Sequence, residues 1–231
     1  MELIIFDVDG TLVHSDKRDS QTFADTYERI YRRPFPSIDW RLFPHVTDNI
    51  IFGTVIQQHF QRSPSVEETT TFQDVYMEAL RQAREQEPAH FQEVPGARQA
   101  IEQLQEVDCL IGIGTGGWKI PAHIKLSHVG ITIEDRLFSG GDGKPTREAI
   151  LEETIAAAEV LNGGPLSRVV YLGDAEWDVT TTRNMQIDFV GVRRAGDLDT
   201  LWSLGAETVI QDYTNYGTFE AALKAARPPK K

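Results

Sequence analysis

The chain opens with an apolar run over residues 3–6 that ends abruptly at two carboxylates, Asp7 and Asp9. An unbroken apolar run is typical of a strand buried on both faces of a sheet. Because side chains two residues apart project from the same side of an extended backbone, we expect both carboxylates to face one site. Crowded carboxylates repel each other unless a cation neutralises them, and their hard oxygen atoms suit Mg²⁺. The sequence therefore predicts a divalent metal site where this strand ends.

Length, charge and cysteine content exclude several classes of protein. The 231 residues are enough for one large domain, or for one domain that carries a smaller insert. A formal net charge of −12 without a long Lys/Arg run argues against nucleic acids or anionic membranes as partners. Because Cys109 is the single cysteine, one chain contains no disulfide framework. Its place in an apolar run is typical of a packed thiol. Since neither a leader-like start nor a run of about 18 apolar residues occurs, we expect a cytoplasmic protein.

A helical segment follows the first strand. Apolar residues recur at helical spacing for about 70 residues, which predicts helices rather than further strands. We predict three helices, over residues 20–32, 47–60 and 66–86. Ser20, Thr47 and Ser65 are expected to be their N-caps, since a hydroxyl there accepts a hydrogen bond from a free backbone amide. Prolines, which interrupt a helical ladder, separate the helices at positions 34, 36, 44 and 64.

From Pro95 onward the pattern changes to alternating helices and apolar strands. We predict strands over residues 109–113, 169–172, 189–192 and 208–210. Helices are predicted over residues 96–106, 120–129, 146–161, 178–185, 198–204 and 218–226. Such alternation implies right-handed crossovers, and hence an α/β fold in which helices cover both faces of a parallel sheet.

The residues that follow the predicted strands carry the chemistry, because ligands of open α/β sheets bind beyond the carboxyl ends of the strands. Thr115 and Gly116 combine a hydroxyl with backbone amides at an incoming helix, which is a natural phosphate cradle. Asp174 and Asp178 follow a later strand, where a shared Mg²⁺ would join them to Asp7. Taken alone, Asp178 is more typical of a helix N-cap.

Four short motifs occur in order along the chain: FDVDGT, GTGG, GKPTR around Lys144, and GDAEWD. In this order they resemble the motifs of the haloacid dehalogenase superfamily, in its Mg²⁺-dependent phosphatase branch with a helical cap. The resemblance extends over nearly the whole chain. It implies a Rossmann-like core domain over residues 1–14 and 89–231, with a helical cap domain inserted over residues 15–88.

The resemblance also implies a role for each motif. Asp7 would attack the phosphorus and form an aspartyl-phosphate, while Asp9 would act first as the acid and then as the base. Thr115 and the Gly116 amide would bind the phosphoryl oxygens. Lys144 would offset the negative charge shared by Asp7 and the phosphate.

A Mg²⁺ cofactor is implied by the same resemblance. The Asp7 carboxylate, the Asp9 backbone carbonyl and the Asp174 carboxylate would bind the ion. Asp178 would lie next to it, either in direct contact or through a water molecule.

The third motif is ambiguous. Lys144 is followed by Pro145, which matches the usual pairing, but Arg147 is close enough in sequence to compete. Lys125 is a third candidate, since it lies on the predicted helix that follows Thr115. We expect Lys144 to be the cation of the site, with Arg147 as the second choice and as a substrate-binding residue.

The cap is expected to select the substrate, because the core motifs contact only the phosphate and the metal. In the polar turn over residues 43–49 we expect Thr47 and Asp48 to bind substrate, although an ordinary helix-capping turn explains them equally well. The leading hypothesis is a phosphatase for a small phosphorylated metabolite, similar to phosphoglycolate phosphatase-like proteins. A phosphomutase of the β-phosphoglucomutase type and a non-catalytic binding or regulatory protein remain as alternatives.

Overall fold

A six-stranded parallel sheet forms the centre of the computed structural model, which describes residues 1–15, 17–43 and 45–231. The strands of the chain are β1 (Glu2–Phe6), β2 (Val13–His14), β3 (Gln92–Glu93), β4 (Cys109–Gly114), β5 (Phe138–Ser139), β6 (Arg168–Gly173), β7 (Asp188–Val192) and β8 (Val209–Ile210). Their order in the sheet is β5-β4-β1-β6-β7-β8, and β2 and β3 form a separate ribbon. The α/β class expected from the sequence is confirmed.

Strand β1 lies inside this sheet and determines where the site forms. It pairs in parallel with β4 and β6, so that Phe6 lies opposite Ile113 and Leu172. Because the three strands run together to the same edge, the residues that follow them emerge side by side. The Asp7 amide donates a hydrogen bond to the Leu172 carbonyl at 2.9 Å, which fixes Asp7 at the end of β1.

Helices cover both faces of the sheet. Those that pack on the sheet are α4 (Ala97–Leu104), α5 (Lys119–His128), α6 (Arg147–Asn162), α7 (Glu176–Met185), α8 (Asp199–Ser203) and α9 (Tyr216–Ala225). The helices between β2 and β3 are α1 (Arg18–Tyr31), α2 (Asp48–Phe60) and α3 (Val66–Gln86). Ile4 and Phe6 of β1 share an apolar cluster with α4, α5 and α9, whereas Leu3 and Ile5 share one with α6, α7 and α8. The alternation of side chains along β1 thus divides the core into two layers. In the described part of the chain, none of the helices has the length and apolar character needed to cross a bilayer.

Helices α1, α2 and α3 form a further apolar cluster, in which aromatic side chains dominate. Phe23, Phe52 and Phe72 lie within it, and their rings contact the indole of Trp118. Trp118 directly precedes α5, so a residue from the sheet part of the chain is buried among these three helices. The cap boundaries at residues 15 and 88 stay a prediction.

Two of the three predicted N-caps are confirmed. Thr47 and Ser65 each accept a hydrogen bond from a backbone amide in the first turn of α2 and α3. The expectation for Ser20 is wrong, because α1 already begins at Arg18. The residues that precede α1 and form its first turn are polar, so the spacing of apolar residues does not mark where this helix begins. The Ser20 hydroxyl instead accepts a hydrogen bond from the Trp40 indole at 3.0 Å.

The short strands β2, β3 and β5 are missing from the sequence prediction, since two residues are too few to show a period. Strands β2 and β3 pair antiparallel, with Val13 opposite Glu93 and His14 opposite Gln92. This ribbon joins the chain just before the three long helices to the chain just after them. Pro44, predicted to separate two helices, lies outside the described residues.

Replacing Trp118 by alanine is expected to lower the free energy of unfolding by about 3–5 kcal/mol, because the buried indole would leave a cavity. Urea unfolding followed by circular dichroism measures this loss. Trp202 is 46% exposed and provides the control. Its replacement by alanine is expected to change stability by less than about 0.5 kcal/mol. Equal losses in the two variants would contradict the role assigned to Trp118.

Candidate active site

A cleft of about 710 Å³ opens at the carboxyl edge of the sheet, with walls from both the sheet and the helical segment. Most of the residues singled out from the sequence line it, namely Asp7, Asp9, Thr47, Asp48, Thr115, Gly116, Arg147 and Asp174. Lys144 and Asp178 are not among the lining residues. The parallel strands therefore bring the motifs FDVDGT, GTGG and GDAEWD to one cleft. Of the candidate cations in the remaining motif, GKPTR, Arg147 lines the cleft and Lys144 does not.

Asp7 is buried at the end of β1, with 4% of its surface exposed. The Thr115 hydroxyl and the Arg147 guanidinium both favour the charged form of its carboxylate, and the guanidinium lies 3.6 Å from Oδ1. Within the described residues, Oδ1 itself has no hydrogen-bond partner. Burial raises the pKa of Asp7 to about 7, although the positive charge of Arg147 opposes the shift. Because an unpaired buried oxygen is costly, this carboxylate is suited to contact with a ligand.

Asp7, Asp174 and Asp178 lie close enough together to surround one cation. One carboxylate oxygen of each lies within 4.8 Å of the others. Burial, together with the negative charges of Asp178 and Asp7, raises the pKa of Asp174 well above its ordinary value. Gly10 permits this crowding, since a Cβ at this position, where φ is 79°, would overlap the Asp174 carboxylate. The donor set, which consists of oxygen atoms alone, fits a hard divalent cation such as Mg²⁺.

Both oxygens of Asp178 already accept hydrogen bonds within the protein. Oδ1 accepts from Arg147 at 2.6 Å and from the Tyr171 hydroxyl at 3.2 Å. Oδ2 accepts from the backbone amides of Asp174 and Ala175, at 3.1 and 3.0 Å, where α7 begins. Asp178 therefore orients Arg147 and the loop that carries Asp174. The placement of Asp178 relative to the metal ion stays a prediction.

The cation next to Asp7 is Arg147 rather than Lys144. Arg147 is the first residue of α6 and is buried. Lys144 lies outside the cleft, where its ammonium donates to Glu153 at 2.7 Å on the exposed side of α6. Thr146 caps α6 through a hydrogen bond from the Ala149 amide, and the turn that follows this cap directs the next side chain inward. The expectation that Lys144 lies beside Asp7 is thereby corrected.

A second buried cation, Lys125, contacts Asp9. Its ammonium donates to Asp9 Oδ2 at 2.5 Å and to Asp19 Oδ2 at 3.1 Å. The other oxygen of Asp9 accepts a hydrogen bond from the Ser15 hydroxyl at 2.7 Å. Burial alone would lower the pKa of Lys125, but the carboxylates of Asp19 and Asp9 outweigh it and raise that pKa. Asp7 and Asp9 thus each have a cation of their own.

Tyr171 and Asp19 belong to this network but were not predicted as site residues. The Tyr171 hydroxyl accepts from Arg147 at 2.9 Å and shares its one proton between the Gly114 carbonyl at 3.0 Å and Asp178 Oδ1 at 3.2 Å. Asp19 accepts a hydrogen bond from the Tyr76 hydroxyl at 2.5 Å. An aromatic hydroxyl inside an apolar strand is the one sequence signal available here, since it needs a buried partner.

The start of α2 is fixed to the loop that contains Gly116. The Asp48 amide donates to the Gly116 carbonyl at 2.9 Å, and the Asp48 carboxylate accepts from the Trp118 amide at 2.9 Å. Thr47 is buried, and its hydroxyl caps α2. These polar groups thus connect the helical segment to the loop that contains Thr115 and Gly116. A role of Thr47 and Asp48 in binding substrate stays a prediction.

Asp48 makes stability depend on pH. Burial raises its pKa to about 7, and the negative charge of Asp19 adds to this shift. In the unfolded chain the same carboxyl ionises near pH 4. Between about pH 4 and 7 the folded state therefore binds more protons, and the contribution of Asp48 to stability falls as the pH rises.

The variant Asp48→Asn keeps an oxygen that accepts from the Trp118 amide but has no charge to bury. We expect its stability relative to the wild type to increase by about 1 kcal/mol between about pH 5 and pH 8, a value reduced by solvent screening. Thermal unfolding at both pH values measures the difference. The variant Asp108→Asn, which changes an exposed carboxylate, is the control. A stability difference independent of pH would contradict the burial of a charge at Asp48.

Comparisons with known proteins agree with this geometry. The family model described as haloacid dehalogenase-like hydrolase matches residues 4–192. A phosphoglycolate phosphatase from Rhodobacter capsulatus is 35% identical over 96 residues, which span 42% of this chain and 42% of that protein. The match therefore covers less than half of the curated relative.

Solved structures are similar in fold. A hydrolase from Pseudomonas syringae superposes with a TM-score of 0.71 at 20% identity, over 96% of this chain and 99% of the other. CbbY from Rhodobacter sphaeroides, crystallised in complex with phosphate, superposes with a TM-score of 0.70 at 14% identity, over 97% and 99% of the two chains. At these identities the likeness concerns the arrangement of strands and helices.

Proposed function

We propose a phosphatase activity on a small phosphorylated metabolite for this chain, which belongs to the haloacid dehalogenase-like hydrolase family. The observation that carries the proposal is the buried Oδ1 of Asp7 on the wall of the cleft, which accepts no hydrogen bond within the described residues. Thr115 and Arg147 flank this carboxylate, and both suit the binding of a phosphoryl group. The partial likeness to a phosphoglycolate phosphatase supports a small substrate.

In the first step, Asp7 attacks the phosphorus, the bond from phosphorus to the leaving oxygen breaks, and an aspartyl-phosphate forms. Asp9 gives its proton to the leaving oxygen, which departs as an alcohol. Arg147 lies beside Asp7, where it favours the charged form of this nucleophile and offsets the charge of the phosphoryl group. The Thr115 hydroxyl and the Gly116 amide bind the phosphoryl oxygens.

In the second step, a water molecule attacks the phosphorus and passes a proton to Asp9. The bond between phosphorus and the Asp7 oxygen breaks, which releases inorganic phosphate and restores both residues. Ser15 and Lys125 bind the two oxygens of Asp9, so the same carboxyl is oriented for both proton transfers.

We propose Mg²⁺ as the cofactor. The carboxylates of Asp7 and Asp174 would bind it together with the Asp9 backbone carbonyl, while Asp178 would orient the Asp174 loop. When bound, the ion would neutralise the crowded carboxylates and withdraw charge from the phosphoryl group. The fit rests on a cluster of carboxylates whose burial and mutual repulsion raise the pKa of Asp174.

We also propose that the segment over residues 15–88 is a cap that selects the substrate. Lys17, Trp40 and Arg41 of this segment line the cleft that contains Asp7. Because the residues at the edge of the sheet would bind the phosphoryl group, the alcohol part of the substrate would contact these side chains of the cap. Contact with a cap also excludes bulk water from the reacting groups.

The deciding experiment measures phosphate release from 2-phosphoglycolate, glycerol phosphate, β-glucose 1-phosphate and p-nitrophenyl phosphate, with Mg²⁺ or with EDTA. We expect the wild type to release phosphate only with Mg²⁺. The variant Asp7→Asn is expected to lose activity by a factor on the order of 10³ or more, because the phosphoryl group loses its acceptor. The variant Asp108→Asn exchanges an exposed carboxylate outside the cleft and should keep full activity.

Other outcomes identify the alternatives. Release that continues in EDTA would contradict the proposed cofactor, and release unaffected by Asp7→Asn would contradict the nucleophile. Conversion of β-glucose 1-phosphate to glucose 6-phosphate without free phosphate would favour a phosphomutase. Binding of a phosphate ester without any turnover, unchanged in Asp7→Asn, would favour a binding or regulatory protein.

A pair of variants tests which cation serves the phosphoryl group. Arg147→Met is expected to lower kcat/KM for phosphate release by about 10²- to 10³-fold, because it removes the charge beside Asp7. Lys144→Met is expected to change kcat/KM by less than about threefold, since its ammonium pairs with Glu153 at the surface. Circular dichroism verifies that both variants are folded. A larger loss in Lys144→Met than in Arg147→Met would reverse the assignment.

A further inference from the structure

We propose that Asp19, a residue of the helical segment, is a positioning residue that acts through Lys125 to orient the acid/base carboxyl of Asp9. The inference rests on the phosphatase function proposed above and extends it to a residue outside the four motifs. In this assignment the helical segment contributes to the chemical step as well as to the choice of substrate.

Lys125 is the link between the two carboxylates. Its side chain is 2% exposed, and an ammonium so deeply buried is tolerated only when charged partners surround it. Its nitrogen lies 2.5 Å from Asp9 Oδ2 and 3.1 Å from Asp19 Oδ2. Because Arg147 is the cation beside Asp7, Lys125 is not needed to neutralise the nucleophile.

Asp9 is bound at both of its oxygens. Ser15 donates to Oδ1 and Lys125 donates to Oδ2, which together fix the plane of the carboxyl. The side chain is nevertheless 34% exposed and lines the cleft, so it can reach a leaving group there. General acid catalysis needs this combination, since the proton must be presented in a defined direction.

Asp19 is itself fixed from a third helix. The Tyr76 hydroxyl of α3 donates to Asp19 Oδ1 at 2.5 Å, while Oδ2 accepts from Lys125. A line of hydrogen bonds therefore runs from α3 through α1 and α5 to Asp9. Without the Asp19 carboxylate, the Lys125 ammonium would lose the second anion that holds it in place, and the Asp9 carboxyl would lose its fixed direction.

The position of Asp9 matters for the proton that this carboxyl gives to the leaving group. As the bond from phosphorus to the leaving oxygen breaks, Asp9 gives its proton to that oxygen. An alkyl leaving group needs this proton, because an alkoxide is a strong base, whereas p-nitrophenolate departs without it. Misplacement of Asp9 should therefore slow phosphoryl transfer from alkyl phosphates far more than transfer from an aryl phosphate. A general loss of folding or phosphate binding would slow both equally.

The test compares kcat/KM for 2-phosphoglycolate and glycerol phosphate with kcat/KM for p-nitrophenyl phosphate. For Asp19→Asn we expect kcat/KM for the alkyl phosphates to fall about tenfold more than kcat/KM for the aryl phosphate. This factor is a fraction of the rate enhancement that a general acid usually contributes. Asp25→Asn makes the same exchange on the same helix, at an exposed carboxylate that accepts from Gln21. This control should match the wild type on every substrate.

Equal losses on alkyl and aryl phosphates, or no loss at all, would overturn the inference. If Asp19→Asn does not fold, Tyr76→Phe supplies the same comparison, because it removes only the hydroxyl that fixes Asp19. For this variant we expect a smaller selective loss, about threefold, and an equal effect on both substrate types would again overturn the inference. Failure of the wild type to release phosphate from any compound would instead contradict the proposed function, and with it this inference.

Discussion

The crowding of negative charge at the end of β1 is the constraint on which the rest of the structure depends. Asp7, Asp9 and Asp174 meet there because β1 and β6 are parallel neighbours whose ends reach the same edge. Buried carboxylates are tolerated only when cations lie close to them. Arg147 lies beside Asp7, and Lys125 contacts Asp9. The need to balance these negative charges thus explains why α5 directs Lys125 inward and α6 directs Arg147 inward, independently of any substrate.

The same two cations connect the helical segment to the sheet. Lys125 contacts Asp19 of α1, and Arg147 donates to the Val46 carbonyl just before α2. Trp118 adds a large apolar contact between the two parts of the chain. Removal of Arg147 would leave the buried carboxylates of Asp7 and Asp178 without their cation, which typically costs about 3–5 kcal/mol. Stability and chemistry therefore depend on the same few residues, and a variant of one is expected to alter both.

The sheet and the long helices could be predicted from the sequence, because apolar runs and helical periodicity extend over many residues; α3 was predicted over residues 66–86 and is found there. That the carboxylates of Asp7 and Asp174 lie near Thr115 could also be predicted, since parallel strands bring the residues after them to one edge. The choice between Lys144 and Arg147 could not, because both precede the same helix and only its cap decides which side chain points inward. The place of Asp19 in this network could not be predicted either, because its partner Lys125 lies 106 residues further along the chain.

The packing of Trp118 limits how a chain of this kind can diversify. Side chains of α1 and α3 contact its indole, and Trp118 directly follows the Gly116–Gly117 loop, so substitutions there would disturb that loop. Lys17 and Arg41 are different, because both are exposed on the cleft wall. Under the proposed function, selection for a new leaving group can therefore exchange these two side chains freely, while the aromatic cluster remains under constraint. Substrate range and catalytic rate would then evolve through separate sets of residues.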